Sequence, residues 1–168
     1  MAVIQTILWV WTTLEYQINY FFFYSNWGNT LTLLAFWMLA LTHYKKATSR
    51  LHEFAITTFE IAITMEYVIN PLYWFLIVEL HLFNPWDIMT YQGPIFNHLF
   101  PFVILNLDMI INGFHFNYPK TLKPMVIVAI FYLLTNYAGS IHQDKPVYFF
   151  LNFQNPKTFF ILGVIVVL

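Results

Sequence analysis

The chain has 168 residues, of which 60% are hydrophobic, 21% aromatic and 9% charged, with a formal net charge of -1 and no cysteine. So apolar a composition lies outside the soluble range and reads as an integral membrane protein, and the near-neutral charge excludes the basic footprint of a nucleic-acid binder. The lack of cysteine excludes disulfides, thiolate catalysis and cysteine-ligated metals.

The opening stretch MAVIQTILWVWTTLEYQ lacks a basic n-region and a small-residue cleavage site. It therefore reads as a retained apolar helix over 1 to 14, not as a removable signal peptide. A membrane span needs about 20 apolar residues. Four segments are expected to meet that: about 22 to 43, 54 to 82, 96 to 113 with its flanks, and 122 to 141. The two ends, 1 to 14 and TFFILGVIVVL at 158 to 168, are apolar but short. The expected fold is all-α: one transmembrane domain over 1 to 168, a polytopic bundle of four secure spans plus a short apolar helix at each terminus, five to six in all. The connectors YKKATSRLHE, NPWDIMTYQGP, FHFNYPKTLKP and QDKPVYFFLNFQNPKT carry the turn formers and most charges. Lys45, Lys46 and Arg50 in the first connector, with Lys120 and Lys123 in the third, place those two on the inner side by the positive-inside rule.

Within YSNWGNTLTLL, Ser25, Asn29 and Thr32 recur at offsets 0, +4 and +7 and share one helical face. Such residues serve close helix packing or bond to the i-4 carbonyl. The sharper reading makes Ser25 a nucleophile, which requires a base at the same depth on another helix. His98 meets that condition by threading, because its segment also starts at the outer surface. The alternative for His98 is a hydrogen-bonded structural role.

In FNHLFPFVILNLDMIING, His98, Pro101, Leu105, Asp108 and Asn112 fall on one stripe of a continuous α-helix, while Asn106 lies on another face. Both faces should therefore meet protein or water, since a polar group in hydrocarbon is costly. Asp108 lies about 15 Å along the axis from His98, too far to orient its imidazole. Asp108 is read instead as bonded to a neighbouring helix or to Asn112 at i+4. Glu60, Glu66 and Glu79 lie in or near the second span, Glu66 deepest, and Pro71 should kink that helix. Glu79 and His81 point apart at i, i+2, and no histidine and carboxylate pair has ligand spacing, so neither a metal nor a cofactor is expected.

The segments FFFYSNWGNTLTLL, FNHLFPFVILNLDMII and KPVYFFLNF, in this order, resemble the family of androgen-induced and androgen-dependent membrane hydrolases with its bacterial and rolling-stone-type relatives. The resemblance covers about residues 20 to 153. It implies that the family's catalytic Thr falls on Ser25 and its His on His98, with hydrolysis of fatty-acid esters as the chemistry. Asn26 or Asn29 would then support the oxyanion. The chain departs from the pattern with Ser25 in place of Thr, with Phe149 after Val147 and Tyr148 in place of Pro, and with a shortened first span.

Two readings follow. The preferred one is a structural or accessory subunit of a larger membrane complex, derived from a hydrolase-like fold, in which Glu66, Asn106, Asp108 and Asn112 serve helix packing. Membrane lipids and other subunits are its partners, and the mitochondrial inner membrane is its preferred location, with the endoplasmic reticulum as the alternative. The second reading is an intramembrane lipid esterase built on Ser25 and His98.

Overall fold

The computed structural model describes residues 1–44, 48–77, 95–148, 151–156 and 158. Among these, every regular element is helical: α1 (Ala2–Tyr16), a 3-10 segment (Gln17–Phe22), α2 (Tyr24–Tyr44), α3 (Ser49–Pro71), two π-helical segments (Leu72–Ile77 and Ile95–Leu99), α4 (Phe100–Asn112) and α5 (Tyr118–His142). The expected all-α class holds for the described residues. Expectations that concern Lys45, Lys46, Glu79, His81, the second connector, Phe149, Lys157 and the apolar stretch after Thr158 lie outside them.

Local chemistry sets the helix ends. The Thr48 hydroxyl caps α3 by accepting from the Leu51 N–H at 3.3 Å. Pro71 closes α3, and the chain widens at once into the π-helical Leu72–Ile77, a response to the N–H that proline lacks. Pro101 opens α4, and Gly113 ends it in the left-handed region at φ 59°, where a side chain would be strained.

The stripe expected from His98 to Asn112 is corrected by the second π-helical segment. His98 lies in Ile95–Leu99, whose wider turn takes it out of α-helical phase with α4. Pro101 and Leu105 are buried and Asp108 half-buried along one face, but Asn112 is exposed.

Helices α2 and α3 form the most extensive helix pair. Gly28, Ala35, Ala55 and Ala62 let such helices approach closely, and Phe36, Phe59, Ile63, Ile104 and Leu105 fill the space around them. Phe114 packs on Phe59 with ring centroids 4.6 Å apart. Hydroxyls within the helices turn back on their own backbone: Thr6, Thr12, Thr13, Thr30, Thr58, Thr64 and Ser140 each donate to the carbonyl at i-4.

Of the four expected spans, the one at 122 to 141 is matched by a helix long and apolar enough to cross a membrane: Pro119–His142. No other helix among the described residues meets both conditions. The 21 residues of α2 carry a polar face, the 23 of α3 carry Arg50, Glu53, Glu60 and Glu66, and α4 has only 13 residues. Helix α1 is apolar over Ala2–Leu14 but short, as expected.

Candidate functional site

Ser25, Asn26, Asn29 and Thr32 are all buried, so the polar face of α2 turns inward. The Tyr148 hydroxyl accepts the Tyr24 N–H at 3.0 Å, which places it beside Ser25. Tyr148 belongs to the connector after α5, and the Tyr24 and Tyr132 rings meet at 4.6 Å, tilted by 51°. Burial pushes the Tyr148 hydroxyl up to about 12, so it stays protonated at neutral pH. A protonated phenol donates and accepts hydrogen bonds but cannot take a proton from Ser25.

The two asparagines on this face are tied to other segments. Asn26 Nδ2 donates to the Tyr20 carbonyl at 2.8 Å, and the Tyr20 hydroxyl returns a bond to the Asn26 carbonyl at 3.2 Å. Asn29 Nδ2 donates to the Asn97 carbonyl at 3.2 Å, while its Oδ1 accepts from Gln5 Nε2 at 3.4 Å. Through Asn29 the segment of His98 is held against α2, one turn, or about 6 Å, from Ser25. The structure thus brings the His98 segment to the same end of the bundle as Ser25. The His98 ring lies flat on Tyr73 at 3.5 Å and 13°, and its Nδ1 is buried without a hydrogen-bond partner. No hydrogen bond joins Ser25 and His98 among the described residues.

Glu66 is fully buried between α3 and α2. Its Oε1 lies against Gly28, its Oε2 accepts from Asn70 Nδ2 at 3.3 Å, and its Oε1 has no hydrogen-bond partner. Glu60, two turns earlier, is satisfied: Oε1 accepts the Asn117 N–H at 2.6 Å and Oε2 accepts the Thr121 hydroxyl. A carboxylate at this place meets the free N–H groups that open α5. Beside it, Lys120 Nζ and Glu53 Oε1 pair at 2.9 Å on the surface.

On α4, Asn106 Oδ1 accepts the Tyr67 hydroxyl at 2.6 Å and its Nδ2 donates to the Phe102 carbonyl. Asn112 Nδ2 donates to the Asp108 backbone carbonyl at 3.0 Å, so the i+4 pair meets through the main chain of Asp108. Sequence reasoning passed over Tyr148, the bridge of Glu60 to α5, and Gln5, Asn70 and Gly28. Asn70 had a readable signal, its i+4 spacing from Glu66. The Tyr148 contact had none, since residues 24 and 148 meet only through the tertiary fold. Among the described residues no group of three or more His, Cys, Asp or Glu is placed to hold a metal ion. Compared with models of known protein families, with curated proteins and with solved structures, the chain matches none.

Proposed function

We propose that this chain is a polytopic integral membrane protein that serves as a structural, accessory subunit of a larger membrane assembly. The observation that carries this reading is the inverted distribution of its side chains. Gln5, Ser25, Asn26, Asn29, Glu60, Glu66, Asn97 and Asn136 are buried, whereas Ile7, Trp11, Leu14, Trp37, Leu107, Ile110, Ile111, Ile130, Phe131 and Leu134 are exposed. Water would reverse that arrangement, and hydrocarbon or an apolar partner favours it. The mitochondrial inner membrane is the proposed location and the endoplasmic reticulum the alternative.

A second reading, lipid-ester hydrolysis, is favoured by one observation: the Tyr24 N–H donates to the Tyr148 hydroxyl at 3.0 Å, which joins the first and third of the segments that carry the family resemblance beside Ser25. The accessory reading ranks first because the phenol beside Ser25 offers no base.

The test is fractionation of membranes from cells expressing the chain, followed by native electrophoresis in mild detergent. The chain should remain in the carbonate-washed pellet, migrate with much larger partners and lose stability when stripped from them. Release into the carbonate supernatant, or a stable lone monomer, would overturn the proposal.

A further inference from the structure

The cationic residues are unevenly spread along the chain. Five of the seven Lys and Arg residues, Lys45, Lys46, Arg50, Lys120 and Lys123, stand in or beside the connectors that precede α3 and α5, and the other two follow α5. The structure brings three of the five into one row. Lys120 Nζ, in the first turn of α5, pairs with Glu53 Oε1 on α3 at 2.9 Å. Arg50 lies three residues before Glu53 on α3, and Lys123 three residues after Lys120 on α5, so each is the helical neighbour of one member of the pair. The order across the two helices is therefore Arg50, Glu53, Lys120, Lys123, and all four are exposed.

The acids nearby do not neutralise the row. Glu53 is taken by Lys120, and Glu60 is buried with both oxygens held by Asn117 and Thr121. Asp108, at the end of α4, has His43 and the Met1 amino group as its electrostatic neighbours. Arg50 and Lys123 have no ion pair among the described residues. Apolar surface begins directly behind both. Phe54 follows Arg50 at i+4, and Val126 and Ile127 follow Lys123 at i+3 and i+4, on the same helical faces and one turn further from the helix starts. All three are exposed. A cation at the rim of an exposed apolar face can lay its stem along hydrocarbon and hold its head at a phosphate.

From this row we infer that the end of the bundle where α3 and α5 begin is a docking surface for anionic phospholipids. Arg50 and Lys123 meet the negative headgroups, the guanidinium through paired N–H donors on phosphate oxygens. Phe54, Val126 and Ile127 lie against the first part of the acyl chains. An acidic protein segment would match the charges and leave that apolar surface uncovered, which favours a lipid. The inference rests on the membrane reading above, in which the positive-inside rule puts this end in the inner leaflet, where anionic lipids attract such cations.

The experiment reconstitutes the full chain in nanodiscs of equal parts phosphatidylglycerol and phosphatidylcholine with the same acyl chains, and native mass spectrometry counts the lipids that stay on the chain. Phosphatidylglycerol should be enriched among them. Arg50→Gln and Lys123→Gln, which exchange an exposed charge for an amide, should each lower the enrichment about fivefold, the factor expected for one cation at an anionic surface. Raising the salt from about 50 to about 500 mM before release should lower it as well. Lys145→Gln, beyond the other end of α5, should leave it unchanged. Equal retention of the two lipids, or enrichment that survives in the double variant of Arg50 and Lys123, would overturn the inference. So would an equal loss in Lys145→Gln, which would mean that net charge alone selects the lipid. A chain that stays in carbonate-washed membranes yet shows no enrichment overturns the docking surface only, whereas one released by carbonate overturns the membrane reading and the surface with it.

Discussion

The carboxylate of Glu66 occupies the space that a side chain at position 28 would need: a Cβ on Gly28 would come within 2.6 Å of Glu66 Oε1. Glu66 and Ile69 both reach over α2 at this point, so the glycine makes room for the acid. Gly28→Ala should cost about 1–3 kcal/mol, the usual range for overpacking, measured by thermal unfolding in detergent. Combining it with Glu66→Ala should cost less than the sum of the two single changes, because the clash with the carboxylate disappears and only that with Ile69 Cδ1, at 2.6 Å, remains. Strict additivity would mean that the two residues do not share this space.

Gly139 offers a harder case. A Cβ there would meet Phe22 Cγ at 2.5 Å and Cβ at 2.9 Å, atoms at the base of the ring and not at a movable end. Gly139→Ala should therefore lower the unfolding temperature more than Gly28→Ala does. The opposite order would show that the 3-10 segment moves aside more easily than the Glu66 carboxylate.

Glu60 joins α3 to the first turn of α5 through the Asn117 N–H and the Thr121 hydroxyl. Glu60→Ala removes the acceptor for both and should cost about 1.5–3 kcal/mol, the range for hydrogen bonds to a charged group. Proteolysis should then cut more readily between α4 and α5, at residues 113 to 117. Unchanged cleavage in the variant would rule out Glu60 as the anchor of α5.

No hydrogen bond joins Ser25 and His98 among the described residues, and His98 Nδ1 is buried without a partner. A serine-directed fluorophosphonate probe should therefore label wild type, Ser25→Ala and His98→Ala to the same background level. Labelling that vanishes in both variants would establish the hydrolase reading. Tyr148→Phe, by contrast, removes the acceptor for the Tyr24 N–H and should destabilise the fold by about 1–3 kcal/mol.

The exposed pair of Glu53 and Lys120 gives a pH dependence of known sign. The Lys120 ammonium beside Glu53 holds its carboxyl below the ordinary carboxylate range. A group with a depressed folded pKa adds stability above its unfolded pKa of about 4.3 and loses it as the pH falls through the lower folded value. Acid unfolding of Lys120→Ala should thus be less steep than that of wild type below about pH 4.3. At neutral pH the two should differ little, because exposed ion pairs are weak and screened by salt. Parallel acid curves would remove the pair from the account.

The sequence alone determined the helical class, through the length and apolarity of its segments, and the absence of cysteine chemistry, since it has no cysteine. Helical spacing determined that Ser25, Asn29 and Thr32 share a face and that Asp108 pairs with Asn112, since both relations lie within one helix. Spacing failed at His98, where the extrapolation assumed a single α-helical period and the chain instead passes through the π-helical Ile95–Leu99. Only the tertiary structure decided that Tyr24 meets Tyr148, that Glu66 rests on Gly28 and that Glu60 anchors α5. Each of these joins segments far apart in the chain. Such pairings depend on the relative depth and rotation of packed helices, which van der Waals fit at their small residues sets and no local periodicity encodes.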